Sequence, residues 1–131
     1  MLFETPVQAE PSIHEVLKAL RNVRIKEAGL QESDIRDRLY EALVSADFRA
    51  STEFRFGPGC RADIWVDGVV VEVKKRRPDR AQVTTQLHRY ARQEGVRGII
   101  LALERSIVLP EAIAGKPIAI LSLNSLWGIA L

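Results

Sequence analysis

The stretch Arg61-Ala62-Asp63-Ile64-Trp65-Val66-Asp67-Gly68-Val69-Val70-Val71-Glu72-Val73-Lys74 decides the fold. Two runs rich in β-branched and apolar residues flank Asp67-Gly68. That dipeptide supplies the positive φ a type I′ turn needs at both central positions, so the stretch reads as a tight hairpin. A two-residue turn fixes the register: Val66 faces Val69, and Asp63 faces Glu72. Directly opposed side chains share a face, with Cβ atoms ~4.5–5.5 Å apart. Lys74, two residues beyond Glu72, lies on that face too, and by the same parity so does Trp65. Like charges placed opposite one another are destabilising, so something must offset them. One answer is a divalent cation held by both carboxylates; hard oxygen ligands with retained waters suit Mg²⁺ or Mn²⁺. The other is a structural network in which Lys74 or Arg61 neutralises the pair.

Working outward, the third strand runs straight into Lys75-Arg76-Arg77. From Lys74 to Arg92 there are seven basic residues (Lys74, Lys75, Arg76, Arg77, Arg80, Arg89, Arg92) against Asp79 alone, a local charge of +6 on a chain whose total is +2. Such a stripe is either a solvated helix face or the footprint of a polyanion. Beside an acidic pair it favours phosphodiester chemistry, with basic groups holding the backbone and a metal polarising the phosphoryl oxygen and generating hydroxide.

The flanking elements follow from periodicity. Ser12-Ile13-His14-Glu15 has the form of a capping box, and a helix is expected from there to about Lys26, stopping before Gly29. Ser33-Asp34 opens a second helix ending near Asp47, with Ile35, Leu39, Leu43 and Ala46 as its apolar stripe. Alternation over 52–56 reads as a strand, Gly57-Pro58-Gly59 as a loop, and 62–66 and 69–74 as the two hairpin strands. Pro78-Asp79 opens a helix to about Glu94. The apolar run 98–103 is a strand covered on both faces. Pro117 ends a loop, and 118–123 form a last strand. The predicted order is ααβββαβ(α)β, an α/β or α+β sandwich with helices on a mixed sheet, preceded by an irregular arm over residues 1–11.

The chain has 131 residues, 47% of them apolar and 27% charged, an ordinary mix for a single domain over 1–131. The lone Cys60 cannot form an internal disulfide or a cysteine metal site. No apolar run approaches the ~18 residues of a membrane span, and no signal peptide is evident, so a cytoplasmic setting is expected. Ten of the fourteen residues from Ile118 to Leu131 are apolar. Part of this segment is core, and Leu126, Trp127 and Ile129 could instead cover a neighbouring subunit.

Asp63, followed nine positions later by Glu72-Val73-Lys74, resembles the signature of the PD-(D/E)XK nuclease superfamily. The strand–strand–strand–helix–strand order after an N-terminal helix is similar too. Gln86-Leu87-His88-Arg89-Tyr90, twelve residues after Lys74, looks like the Gln-xxx-Tyr motif of the RecB-like branch. The resemblance spans roughly residues 33–123. Ala62 stands where proline is common, and the cysteines of iron–sulfur members are missing. The resemblance implies a restriction-endonuclease-like core and a Mg²⁺- or Mn²⁺-dependent DNA nuclease. Asp63, Glu72 and the Val73 carbonyl would hold the metal. Lys74 would orient water or stabilise charge at the phosphate, and Gln86 would help position metal or water. A further acid on the N-terminal helix would be Glu41, with Asp37 as the alternative; a solvent-exposed Glu41 paired with Arg38 or Arg49 is the competing reading. Tyr90 would contact DNA or pack beneath the site. The DNA-facing set is then Arg61, Lys75, Arg76, Arg77, Arg80, Arg89 and Tyr90.

A nuclease that cuts both strands needs two active sites, so a homodimer is expected. The small size and the hairpin are similar to archaeal-type Holliday junction resolvases, while Gln-xxx-Tyr leans towards RecB-like exonucleases. Two competing readings come from other classes. One is a non-catalytic nucleic-acid-binding module on the same fold; the other is an interaction domain whose basic stripe meets an acidic protein.

Overall fold

The computed structural model describes residues 10–27 and 29–127. Most of the expected N-terminal arm, and Ile129, lie outside them. Ten elements follow in order: α1 (Ile13–Arg21), α2 (Glu32–Ser45), β1 (Ala50–Gly57), β2 (Cys60–Val66), β3 (Val69–Lys74), α3 (Arg80–Ala91), β4 (Gly98–Leu103), β5 (Ala112–Ile113), β6 (Lys116–Ser122) and α4 (Leu123–Leu126). The fold is α+β: one six-stranded mixed sheet with helices on both faces.

The strand order is β1-β2-β3-β4-β6-β5. The first three strands form an antiparallel meander, β3, β4 and β6 run parallel, and β5 pairs antiparallel with β6. The hairpin turn is as expected. Asp67 (φ 45°) and Gly68 (φ 96°) both take positive φ, and Val66 pairs with Val69 and Ile64 with Val71. All six residues of β4 are buried, as a strand with helices on both sides requires.

Helix boundaries follow the caps. Ser12 accepts the Glu15 N–H at 3.1 Å and starts α1. That helix ends at Arg21 rather than near Lys26. The following segment is held instead by the Ile25 N–H, which donates to the Leu126 carbonyl at 2.8 Å. The second helix begins one residue earlier than expected, because Asp34 reaches back to the Gln31 N–H. Asp79 accepts the N–H groups of Ala81 and Gln82 and caps α3, which ends at Ala91, before Glu94.

The bracketed helix before the last strand is not formed. Ala114 (φ 51°) and Gly115 (φ 76°) make a tight turn that folds β5 onto β6, and Pro110 precedes it. Pro117 consequently lies inside β6 rather than ending a loop.

The sheet divides the core in two. One cluster, under α1 and α2, contains Val16, Leu20, Ile35, Leu39, Leu43, Ile64, Val71 and Ile100. The other, under α3, contains Val70, Val83, Leu87, Tyr90, Ile99 and Leu101. Leu126 is fully buried in the first cluster and Trp127, partly buried, packs against it, so both contribute to this chain's own core. No helix among the described residues is long and apolar enough to cross a membrane.

Candidate active site

The site lies where β2 and β3 part company. Backbone pairing between them is regular through Ile64↔Val71. At the next step the carboxylates replace the ladder: the Asp63 N–H donates to Glu72 Oε1 at 3.1 Å, and the Val73 N–H donates to Asp63 Oδ2 at 2.8 Å. Two acidic side chains are thereby inserted into the opening between two strands, each held by a main-chain donor of the other strand.

The same point is a kink. Cys60 and Ala62 pack on the α3 face, while Ile64 and Val66 pack under α1 and α2. Residues two apart should share a face, so β2 switches faces at Asp63. The partner strand bends there too. Glu53, between the paired Thr52↔Ile64 and Phe54↔Ala62, sits at φ 49°, a left-handed conformation that costs a non-glycine residue energy. Arg36 of α2 donates to the Glu53 carboxylate at 2.9 Å and to Asp37 at 3.0 Å, tying the bend to the helix. The switch also overturns the parity argument for Trp65. Its ring stacks between Phe54 and Phe56 at 4.9 and 5.1 Å and packs against the α3-side core.

Glu72 is the sole buried charged residue among the described residues, 4% exposed. Burial, and then the Asp63 charge, push its carboxyl up to about 8; the Lys74 ammonium works the other way. The pair therefore carries a proton near neutrality in the absence of a cation.

Lys74 lies at the rim of a cleft of about 710 Å³ that it shares with Glu32, Arg76, Arg77, Gln86 and Arg89. Gln86 Nε2 donates to the Tyr90 hydroxyl at 3.2 Å, and that hydroxyl donates to the Arg61 carbonyl at 2.8 Å. Burial and the Glu72 charge raise the phenol's pKa, which keeps it a proton donor. Gln86 thus faces the cleft, while Tyr90 is 3% exposed, edge-on to Phe56, and cannot touch a strand of DNA. The packing reading of Tyr90 holds, because Val83, Leu87 and Tyr90 form the buried stripe of α3.

The basic residues divide. Arg76, Arg77 and Arg89 line the cleft; Arg61 and Arg80 are exposed beside it on β2 and at the start of α3. Lys75 turns away. Its Nζ donates to the Leu30 carbonyl at 2.6 Å and its N–H to Glu32 Oε1 at 3.0 Å, so it ties β3 to the start of α2. It does not join the DNA-facing set.

Glu41 is not at the site. Its carboxylate is 66% exposed and 3.9 Å from Arg38, the pairing that competes with a catalytic role. Asp37 is engaged by Arg36. The helix carboxylate nearer the site is Glu32, first residue of α2, about 13 Å along the helix from Glu41. Glu32 lines both the large cleft with Lys74 and a smaller cavity with Ser33, Arg36 and Asp63. It escaped the sequence reading because the helix was expected to start one residue later; the acidic first turn of α2 was the available signal.

The remaining reactive side chains are idle. Cys60 is buried with its Sγ against the Pro58 carbonyl, and His14 and His88 are exposed. Among the described residues no three His, Cys, Asp or Glu side chains are grouped as a ready metal cluster. The donor set is two carboxylates, one buried and short of positive charge, the combination that hard cations complete with water or substrate oxygens.

No protein-family model, curated protein or solved structure matches the chain.

Proposed function

We propose that this protein is a metal-dependent DNA nuclease of the PD-(D/E)XK type, hydrolysing phosphodiester bonds in DNA repair, recombination or phage- and restriction-type processing. The observation that carries the reading is Glu72: a buried carboxyl, hydrogen-bonded to the main chain of a second acid, two residues from Lys74, which lines a cleft with Arg76, Arg77 and Arg89.

The donor set fits Mg²⁺ or Mn²⁺, which when bound supplies Lewis acidity and an acidified water. Asp63 and Glu72 would hold it. Asp63 is already oriented by the Val73 N–H, and Glu72 by the Asp63 N–H, so little reorganisation is needed. Releasing the Glu72 proton couples cation binding to pH. Lys74 stands beside Glu72 as the cationic group that orients the attacking water or steadies charge on the phosphate. Arg76, Arg77 and Arg89 grip the flanking backbone, and Gln86, pinned by Tyr90, offers an amide to the cleft. A cytoplasmic location and a homodimer belong to the same proposal.

The test is cleavage of supercoiled, linear, single-stranded and four-way-junction DNA with Mg²⁺, Mn²⁺ or chelator. Metal-dependent cleavage that is lost in Glu72→Ala and Lys74→Ala supports the nuclease, and the preferred substrate names its branch. Equal DNA binding by all three proteins without cleavage would instead leave a binding module.

A further inference from the structure

The parallel half of the sheet ends in a second cleft. It measures about 550 Å³ and is lined by Arg77, Glu104, Arg105, Ser106, Ser122 and Asn124. These residues follow the carboxyl ends of β3 and β4 and close β6, the edge of an open α/β sheet where crevices form and ligands bind. Arg77 lines both this cleft and the one that holds Lys74, so the two are contiguous.

Its lining suits an anion. Among the described residues neither Arg77 nor Arg105 is engaged in an ion pair. Ser106, Ser122 and Asn124 add hydroxyl and amide groups. Glu104 is the one acid of this cleft, and it also lines the adjoining cavity with Lys26, Glu27 and Lys75. The floor is fixed: Asn124 Nδ2 donates to the Glu104 carbonyl at 3.0 Å, and the Glu104 N–H points to the Lys74 carbonyl at 3.4 Å.

The register gives the distance to Lys74. Lys74 pairs with Leu103, and Leu103 with Ser122. Two inter-strand steps of ~4.8 Å separate Lys74 from Ser122 by about 10 Å. Neighbouring phosphates of a strand lie farther apart than the ~3.4 Å axial rise, so the interval spans about one to two phosphodiester units.

We propose that the Arg77–Arg105–Ser106 cleft is a second phosphate site, gripping the substrate strand a short way beyond the bond held beside Lys74 at Asp63 and Glu72. The proposal rests on the nuclease reading for its substrate. It makes the substrate a strand that continues past the cut on that side, and Arg105 and Ser106 the residues that measure it.

The experiment is binding of fluorescein-labelled single-stranded DNA, followed by anisotropy over a salt series, with Ca²⁺ replacing Mg²⁺. Arg105→Ala should weaken binding several-fold and lower the slope of log K against log salt by about 0.7, one phosphate contact. Arg21→Ala, an exposed arginine on α1 across the sheet, should change neither. An oligonucleotide too short to reach the second cleft should be indifferent to Arg105→Ala. Unchanged affinity and slope in Arg105→Ala, or equal losses in Arg105→Ala and Arg21→Ala, would overturn the second site and leave the nuclease standing. Failure of the wild-type protein to bind or cleave any DNA would overturn both.

Discussion

Glu72 reaches across the hairpin and accepts the main-chain N–H of Asp63 at 3.1 Å, so the strand that carries one acid orients the other. Burial and the Asp63 charge favour the protonated form of Glu72. An ordinary glutamate near 4.5 is pushed to about 8 here.

Stability should therefore fall with rising pH in the presence of chelator. The folded chain binds the Glu72 proton more tightly than the unfolded chain. The stabilisation is fully present below pH about 4.5 and is lost as pH rises through about 8. Glu72→Gln keeps an acceptor for the Asp63 N–H and cannot ionise. Its stability relative to wild type should rise across that window, on the order of 1.4 kcal/mol per pH unit where the dependence is steepest. Urea titrations of both proteins from pH 5 to pH 9 read this directly; parallel curves would mean Glu72 is ionised throughout.

A divalent cation should reverse the trend. Because it competes with the proton on Glu72, Mn²⁺ should raise the thermal midpoint more at pH 8 than at pH 5. Asp63→Ala should abolish the shift at either pH. A shift that persists in Asp63→Ala would locate the cation elsewhere.

Tyr90→Phe isolates the link between α3 and β2. The ring and its edge contact with Phe56 at 4.9 Å remain, but the Arg61 carbonyl and the Gln86 amide each lose a partner. The expected cost is about 1–3 kcal/mol of stability. DNA affinity should be unchanged, since the side chain is buried. Weaker binding with full stability would show that Tyr90 does reach the substrate.

The hairpin was legible because its signals are local. Asp67-Gly68 sets the turn, the turn sets the register, and the register brings Asp63 to Glu72. What lies beyond depends on contacts that no local pattern encodes. The face switch at Asp63 needs a left-handed Glu53 held by Arg36, seventeen residues away. Parity therefore failed to separate Trp65 from Asp63, although Trp65 does share the face of its β3 partner Val70. Lys75 reads as one more charge in a basic run until the Leu30 carbonyl, forty-five residues earlier, claims its ammonium. The absent helix before β6 was a matter of turn chemistry: Ala114-Gly115 folds into a hairpin that an Ala-Gly pair does not announce as strongly as Asp67-Gly68.

Gly68→Ala tests the turn on which the site depends. A Cβ there would lie 2.6 Å from the Gly95 carbonyl oxygen, a backbone atom that cannot swing aside, at a φ of 96°. The substitution should cost roughly 1–3 kcal/mol from backbone strain alone, with the clash added. Gly115→Ala is the control. It also has positive φ (76°), but nothing lies within 4 Å of the added carbon, so it should lose less. Equal losses in chemical denaturation would mean that strain, not the close approach to Gly95, dominates at Gly68.

The choice between Glu32 and Glu41 can be made with charge-only substitutions. Both are exposed glutamates on α2, and the resemblance alone favoured the one deeper in the helix. Geometry favours the other: Glu32 lines a cleft with Lys74 and a cavity with Asp63, while Glu41, exposed, meets Arg38. Glu32→Gln retains an oxygen for the Lys75 N–H, so the fold should be little changed, within about 0.5–1 kcal/mol. Cleavage should nevertheless fall, on the order of 10²-fold, because an acid that shares the Lys74 cleft and the Asp63 cavity is gone. Glu41→Gln should leave both stability and cleavage near wild type. The opposite ranking in cleavage, with both variants folded, would return the role to Glu41 and require α2 to slide along its axis by about 13 Å, more than two helical turns.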